Sequence, residues 1–243
     1  MRILGVVPVP ESVVGRASDR GSRRQQLPEE VAAYVRELII SGAVRPGEYL
    51  RMEPIAEAMG VSNTPVREGL LSLRSEGFVR LVPRRGFIVA PFTRQDVHDL
   101  FWAQAQLAGE LAARAAEHIT TEQIGVLERN IEDYERAFES SDREGLATYG
   151  HLFHRQVNLA ANSHRLALLL GSVVNHLPNK FYTTIEGQVA GSRSEHPLLL
   201  VAFKAGDSDG ARSLMQHHIS GGADRLIENL EQQGLWEPLE ATL

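Results

Sequence analysis

The chain has no cysteine, which excludes disulfides, thiolate catalysis and cysteine metal sites. It has no apolar run near the roughly 20 residues that span a bilayer. The first ten residues, MRILGVVPVP, hold only a short apolar stretch broken by prolines, with no small-residue cleavage signature after it. A cytoplasmic protein is expected, neither secreted nor membrane-bound. There is no internal repeat, and no low-complexity stretch beyond the Gly-, Ser- and Arg-rich segment Glu11 to Gln26, so residues 1–26 read as a mobile arm. At 243 residues the chain holds one large or two modest domains.

A net charge of −6 argues against a nucleic-acid partner until the chain is divided. Residues 1–95 carry 14 Arg against 10 Asp and Glu, a balance of +4, while residues 96–243 carry 11 Lys and Arg against 21 Asp and Glu, a balance of −10. The basic excess lies in the first part, as phosphate binding requires. All nine histidines lie in the second.

The basic part contains Met59 to Arg67, MGVSNTPVR. Gly60 can take the positive φ that ends a helix. Ser62 or Asn63 can cap the next one, and Pro65 fits its first turn, where a missing N–H does no harm. Met52, Ile55, Ala56 and Met59 have the spacing of a short amphipathic helix, and Val66, Leu70, Leu71 and Leu73 supply the buried stripe of a second. Two short helices around a tight turn, the second opening with polar and basic residues, make a helix-turn-helix. Phe78 to Ala90, FVRLVPRRGFIVA, then reads as a β-hairpin with Pro83-Arg84-Arg85-Gly86 at its tip. That completes a winged helix over residues 27–92. Ser62, Asn63, Thr64 and Arg67 are expected to face a major groove, and Arg84, Arg85 and Gly86 to meet phosphate or a minor groove. Residues 1–26 are then either a disordered tail or a basic arm touching DNA.

After Pro91 the pattern turns helical, and residues 93–236 read as a bundle of six or seven helices. Thr93 caps a helix from Arg94 to about Ile119, Thr120 or Thr121 caps the next, and others follow at about 143–161, 164–188 (broken near Pro178), 193–205 and 207–233. The fold class is therefore mainly α. His154 shares a stripe with Phe153 and Val157, His196 with Leu199, Leu200 and Phe203, and His218 with Leu214, Met215 and Leu226, so all three point inward from different helices. Either they are core histidines bonded to carbonyls, or they converge on a divalent metal. His217 lies roughly 100° round from His218 and faces out. His98, His118, His164 and His176 read as surface residues.

The ordered set Val44-Arg45-Pro46-Gly47-Glu48-Tyr49-Leu50, Ile55-Ala56-Glu57, Gly60 to Glu68, Leu73, Glu76-Gly77 and Pro83 to Gly86 resembles the DNA-binding domain of GntR-family bacterial transcription regulators. The match is ungapped over about sixty residues from Val31; Asn63 stands where the family often has Arg. Phe153-His154, Val157, Ala160 and Leu166, then Glu195-His196, then Asp207, Ala211, Met215 and His218-Ile219 resemble the effector-binding FCD domain of the FadR subfamily.

The resemblance implies double-stranded operator DNA, a homodimer reading a palindrome, a small-molecule effector of the organic-acid kind, and one divalent ion, Zn²⁺ or Ni²⁺, on His154, His196 and His218. The location it implies is the cytoplasm, at the nucleoid. Where many members have a fourth ligand, an aspartate four residues before the first histidine, this chain has Gly150, with His151 beside it. Where the first helix of the domain often has Arg, this chain has Gln104. Gln104, Gly150 and His151 are thus the expected effector-pocket residues. A metal-dependent enzyme with an accessory nucleic-acid domain is the alternative. It lacks a positioned general base, since no Glu follows the histidines in an HExxH-like step and Glu195 falls on a different helical face from His196.

Overall fold

The structure, a computed structural model, describes residues 20–177, 190–232 and 234–236. The described residues divide into two compact units, 20–92 with 234–236, and those within 93–232. Both are mainly helical, and no described helix is long and apolar enough to cross a membrane.

In the first unit, α1 (Arg20–Ile40), α2 (Met52–Met59) and α3 (Asn63–Ser75) pack beside a three-stranded antiparallel sheet. Helix α1 begins at Arg20, inside the stretch read from sequence as an arm. It buries Val31, Val35, Leu38, Ile39 and Ile40 against the Val66, Leu70 and Leu73 face of α3. Gly69 permits the close approach: a Cβ there would lie 2.7 Å from the Pro28 carbonyl oxygen and 2.9 Å from Val31 Cγ1. Arg36 is 7 % exposed and ion-paired to Glu76 across the α1–α3 contact, with Nε donating at 3.1 Å. Burial leaves that guanidinium no route to DNA.

Gly60 ends α2 in the left-handed region (φ 66°, ψ 32°) and its N–H meets the Ala56 and Glu57 carbonyls. Ser62 holds the extended N-cap conformation of α3, without a side-chain capping bond. The hairpin of β2 (Val79–Val82) and β3 (Gly86–Val89) pairs in the register Val79↔Val89 to Val82↔Gly86. Its tip needs positive φ at Arg84 (63°) and at Gly86 (94°). The third strand, β1 (Tyr49–Leu50), pairs Tyr49 with Ile88 and Leu50 with Phe87. Trp236 Nε1 donates to the Phe92 carbonyl at 2.7 Å.

The second unit contains, among the described residues, six helices: α4 (Arg94–His118), α5 (Thr121–Glu139), α6 (Arg143–Ala160), α7 (His164–Val174), α8 (Ala190–Ala205) and α9 (Ser208–Gln232). The break expected near Pro178 lies outside the described residues. Thr93 with Asp96, and Thr120 with Gln123, form reciprocal capping boxes that satisfy the first amides of α4 and α5. Asp207, after Gly206, accepts from the Gly210 amide at 2.9 Å and starts α9. Ala108, Leu111, Ala112 and Ala115 of α4 bury against Phe153 and Val157 of α6, Leu199 and Phe203 of α8, and Met215 of α9.

Helices α4 and α9 run antiparallel in close contact, and paired residues fix their register. A Cβ on Gly222 would lie 2.7 Å from Phe101 Cε1, Gln216 donates to Gln106 at 3.2 Å, and Arg212 pairs with Glu110. By that register Gln104 stands level with His218.

Candidate metal centre and nucleic-acid interface

The histidine cluster lies among α6, α8 and α9. His154 follows the fully buried Phe153 on α6, His196 is buried on α8, and His218 stands one turn beyond Met215 on α9. Each is placed by an apolar neighbour that must face the core. Phe153 stacks on His196 with ring centroids 3.9 Å apart and planes 5° apart, while Tyr134 of α5 meets the same ring edge-on at 5.9 Å. The three imidazoles each offer one nitrogen to a space in which all three lie within 4.8 Å of one another. His154 Nε2 and His218 Nε2 are 3.2 Å apart. Two nitrogens about 2.0–2.1 Å from one tetrahedral ion stand about 3.3 Å apart, so this pair fits a shared divalent cation.

Glu195 has a role that helical position concealed. On α8 it lies on a different face from His196, yet its side chain reaches α9 and accepts from His218 Nδ1 at 2.6 Å. That bond places the His218 proton on Nδ1 and leaves the Nε2 lone pair facing His154. The bond from His218 holds the Glu195 carboxyl below the ordinary carboxylate range, against the opposing effect of its partial burial.

Two buried amide side chains lie on the neighbouring helices α4 and α5, and among the described residues no buried cation is without a partner. Gln104 is 2 % exposed and its Nε2 is buried without a hydrogen-bond partner; Asn130 Oδ1, on the buried stripe of α5 between Leu127 and Tyr134, is in the same state. Among the described residues of this unit every Lys and Arg is exposed except Arg212, which pairs with Glu110. Gly150 is buried on α6, one turn before His154, and His151 is exposed. His98, His118, His164 and His217 are exposed, whereas His176 is half-buried with its Nδ1 enclosed. Asn130 was legible in principle as a polar residue on an apolar stripe; the reach of Glu195 was not.

On the first unit, Ser62, Asn63, Thr64 and Arg67 are exposed along the start of α3, while Pro65 and Val66 between them are buried. Arg84 and Arg85 are exposed at the hairpin tip beside the half-buried Gly86. A cleft between α3 and the hairpin is lined by Arg67 and Arg85, and also by Tyr49, Arg51 and Leu81, none of them among the DNA contacts expected from the sequence. Strict alternation puts Leu81 on the inner face with Val79, yet Val79 is 1 % exposed and Leu81 47 %. Leu81 lies opposite Phe87 near the hairpin tip and faces the cleft, while Phe87 beside it is buried.

These features agree with comparisons to known proteins. The bacterial regulatory proteins of the gntR family match residues 27–89, and the FCD domain matches residues 99–221. The HTH-type transcriptional regulator McbR of Escherichia coli is 27 % identical over 187 residues, covering 74 % of this chain and 85 % of that protein. The Nta operon transcriptional regulator of Aminobacter aminovorans is 29 % identical over 192 residues, covering 79 % and 90 %. The solved structure of E. coli McbR/YncC aligns with a TM-score of 0.58 at 25 % identity, covering 86 % of this chain and 98 % of that one. Its domains and relatives are those of transcription regulators and not of enzymes. The chain therefore belongs to the gntR family of bacterial regulatory proteins, with a helix-turn-helix DNA-binding domain followed by an FCD domain.

Proposed function

We propose that the protein is a ligand-responsive transcription regulator that acts in the cytoplasm, at the nucleoid. It binds palindromic operator DNA as a homodimer and senses a small metabolite beside a divalent metal ion in its FCD domain. The observation that carries the sensing part is the convergence of His154, His196 and His218, with Glu195 fixing the His218 tautomer. Those three residues would hold Zn²⁺ or Ni²⁺, which would supply a positive charge and open coordination positions for an oxygen ligand. With glycine at position 150, the protein supplies no fourth ligand from that turn, so a water or an effector carboxylate completes the shell.

Gln104, level with His218 and holding an enclosed amide donor, hydrogen-bonds the effector's acceptor group. Because no described cation of this unit is buried and free, the ion is the main source of charge for an anionic effector. Ligand contacts that bridge α4, α6, α8 and α9 alter how the bundle packs, and so the spacing of the two recognition helices in a dimer. That coupling is reciprocal: operator DNA changes effector affinity by the same factor that effector changes operator affinity.

On the DNA side, Ser62, Asn63, Thr64 and Arg67 read the major groove, with Asn63 suited to adenine and Arg67 to guanine, while Arg84, Arg85 and Gly86 meet the backbone or minor groove. Two half-sites spaced about 10 bp centre to centre match a two-fold dimer. Native mass spectrometry, before and after denaturation, tests the assembly and the sensing site together. A dimer carrying one metal ion per chain supports the reading; a metal-free monomer overturns it.

A further inference from the structure

Three arginines from three different elements line one cleft on the DNA-binding unit. Arg51 stands at the head of α2, Arg67 one turn into α3, and Arg85 at the hairpin tip, with Tyr49, Leu81 and Phe87 forming the apolar wall and Glu53 the one carboxylate. All three arginines are exposed, and among the described residues no ion pair engages them. This sets them apart from Arg36, which the fold consumes in its pair with Glu76.

Arg51 is also poorly placed for local stability. It occupies the N-cap position of α2 in extended conformation (φ −87°, ψ 130°) and its side chain makes no capping bond. A cation at a helix N-terminus faces the positive end of the helix dipole, and arginine is not among the residues that cap. A residue that breaks a local rule with no compensating interaction points to function.

We propose that Arg51 is a DNA-phosphate contact, a third segment of the interface beside α3 and the hairpin. Position decides for phosphate over base. In a helix-turn-helix the second helix lies in the major groove while the first crosses the backbone, and Arg51 heads the first. Arg51 lines the same cleft as Arg67 and Arg85, so a strand entering that cleft meets α2, α3 and the hairpin together. The inference rests on the reading that Arg67 and Arg85 face DNA.

The test is the salt dependence of binding to a random-sequence 40-bp duplex pool, using full-length wild type, Arg51→Ala, Arg51→Lys, Arg67→Ala and Arg85→Ala. Removing one neutralised phosphate lowers the slope of log K against log[salt] by about 0.9. Arg51→Ala is expected to lower it by about 0.9 for each chain engaged, Arg51→Lys to keep the slope, and site selection from the pool to give the same base preferences for Arg51→Ala as for wild type. An unchanged slope in Arg51→Ala, with Arg67→Ala or Arg85→Ala altered, overturns this inference alone. Unchanged binding in all three alanine variants overturns the reading of the whole face. An altered base preference at an unchanged slope makes Arg51 a base contact and overturns the phosphate assignment. Because Arg51 is exposed and caps nothing, all variants are expected to retain the wild-type circular dichroism spectrum.

Discussion

Glu195 Oε2 accepts a hydrogen bond from His218 Nδ1 at 2.6 Å, linking α8 to α9 beside the histidine cluster. A carboxylate behind a ligating imidazole fixes the ring's orientation and tautomer and raises its basicity, and losing such a partner costs about 10–100-fold in metal affinity. Glu195→Ala is therefore expected to weaken Zn²⁺ or Ni²⁺ binding by about that factor. Glu195→Gln, which keeps the acceptor and removes the charge, loses less. Competition against a chelator of known affinity measures both; equal affinity for wild type and Glu195→Ala would show that Glu195 does not position a ligand.

Gly150 lies on the buried side of α6, one turn before His154, so a side chain there shares a face with that histidine. Gly150→Asp is expected to tighten metal binding by adding a charged oxygen ligand, and to weaken binding of any anion that occupies the open positions. Chelator competition on the variant reads the first effect. Affinity no higher than wild type would mean that the ion does not sit within reach of position 150.

Gly69→Ala tests the α1–α3 packing. The new Cβ would meet the Pro28 carbonyl oxygen at 2.7 Å, and backbone cannot step aside as a flexible side chain can. Overpacking of this kind costs about 1–3 kcal/mol, more than the gain of up to about 1 kcal/mol from replacing a helical glycine. The expected result is a lower melting temperature with loss of DNA affinity; a melting temperature at or above wild type would contradict the packing described.

Acid stability should depend on Glu110. The carboxylate pairs with Arg212 of α9 and accepts from Arg114 Nε at 2.8 Å, and these hydrogen bonds, Arg212's first, hold its pKa below the ordinary value. A carboxyl with a lowered folded pKa contributes stability above its unfolded pKa and loses it as pH falls through the folded one. The pair is largely solvent-facing, so its contribution is small. Glu110→Gln is expected to flatten the acid limb of the stability curve below about pH 4.5, the ordinary glutamate range. An acid limb identical to wild type would contradict the assignment.

Much of this architecture was legible because it rests on short-range chemistry. Gly60 takes the left-handed conformation that the turn demands, and Thr93 and Thr120 cap because their hydroxyls reach amides three residues on. The inward histidines followed from 3.6-residue periodicity, each tied to an apolar neighbour that must be buried. What could not be read depends on tertiary register. Strand β1 is two residues long and exists only through pairing with β3. Glu195 looked misplaced because periodicity fixes where a side chain leaves its helix, not how far it reaches toward another. The levelling of Gln104 with His218 follows from the α4–α9 alignment, which Phe101 and Gly222 set by their close approach.

His154, His196 and His218 are expected to form a working metal site. Its most direct measurement is metal per chain by elemental analysis, on protein purified without chelator or affinity-column metal, then stripped and reloaded at neutral pH, for wild type and His196→Ala. Wild type is expected to carry one divalent ion per chain and the variant near none. Wild type that stays metal-free after reloading, or His196→Ala that binds as well as wild type, would contradict it and leave His154, His196 and His218 as core residues.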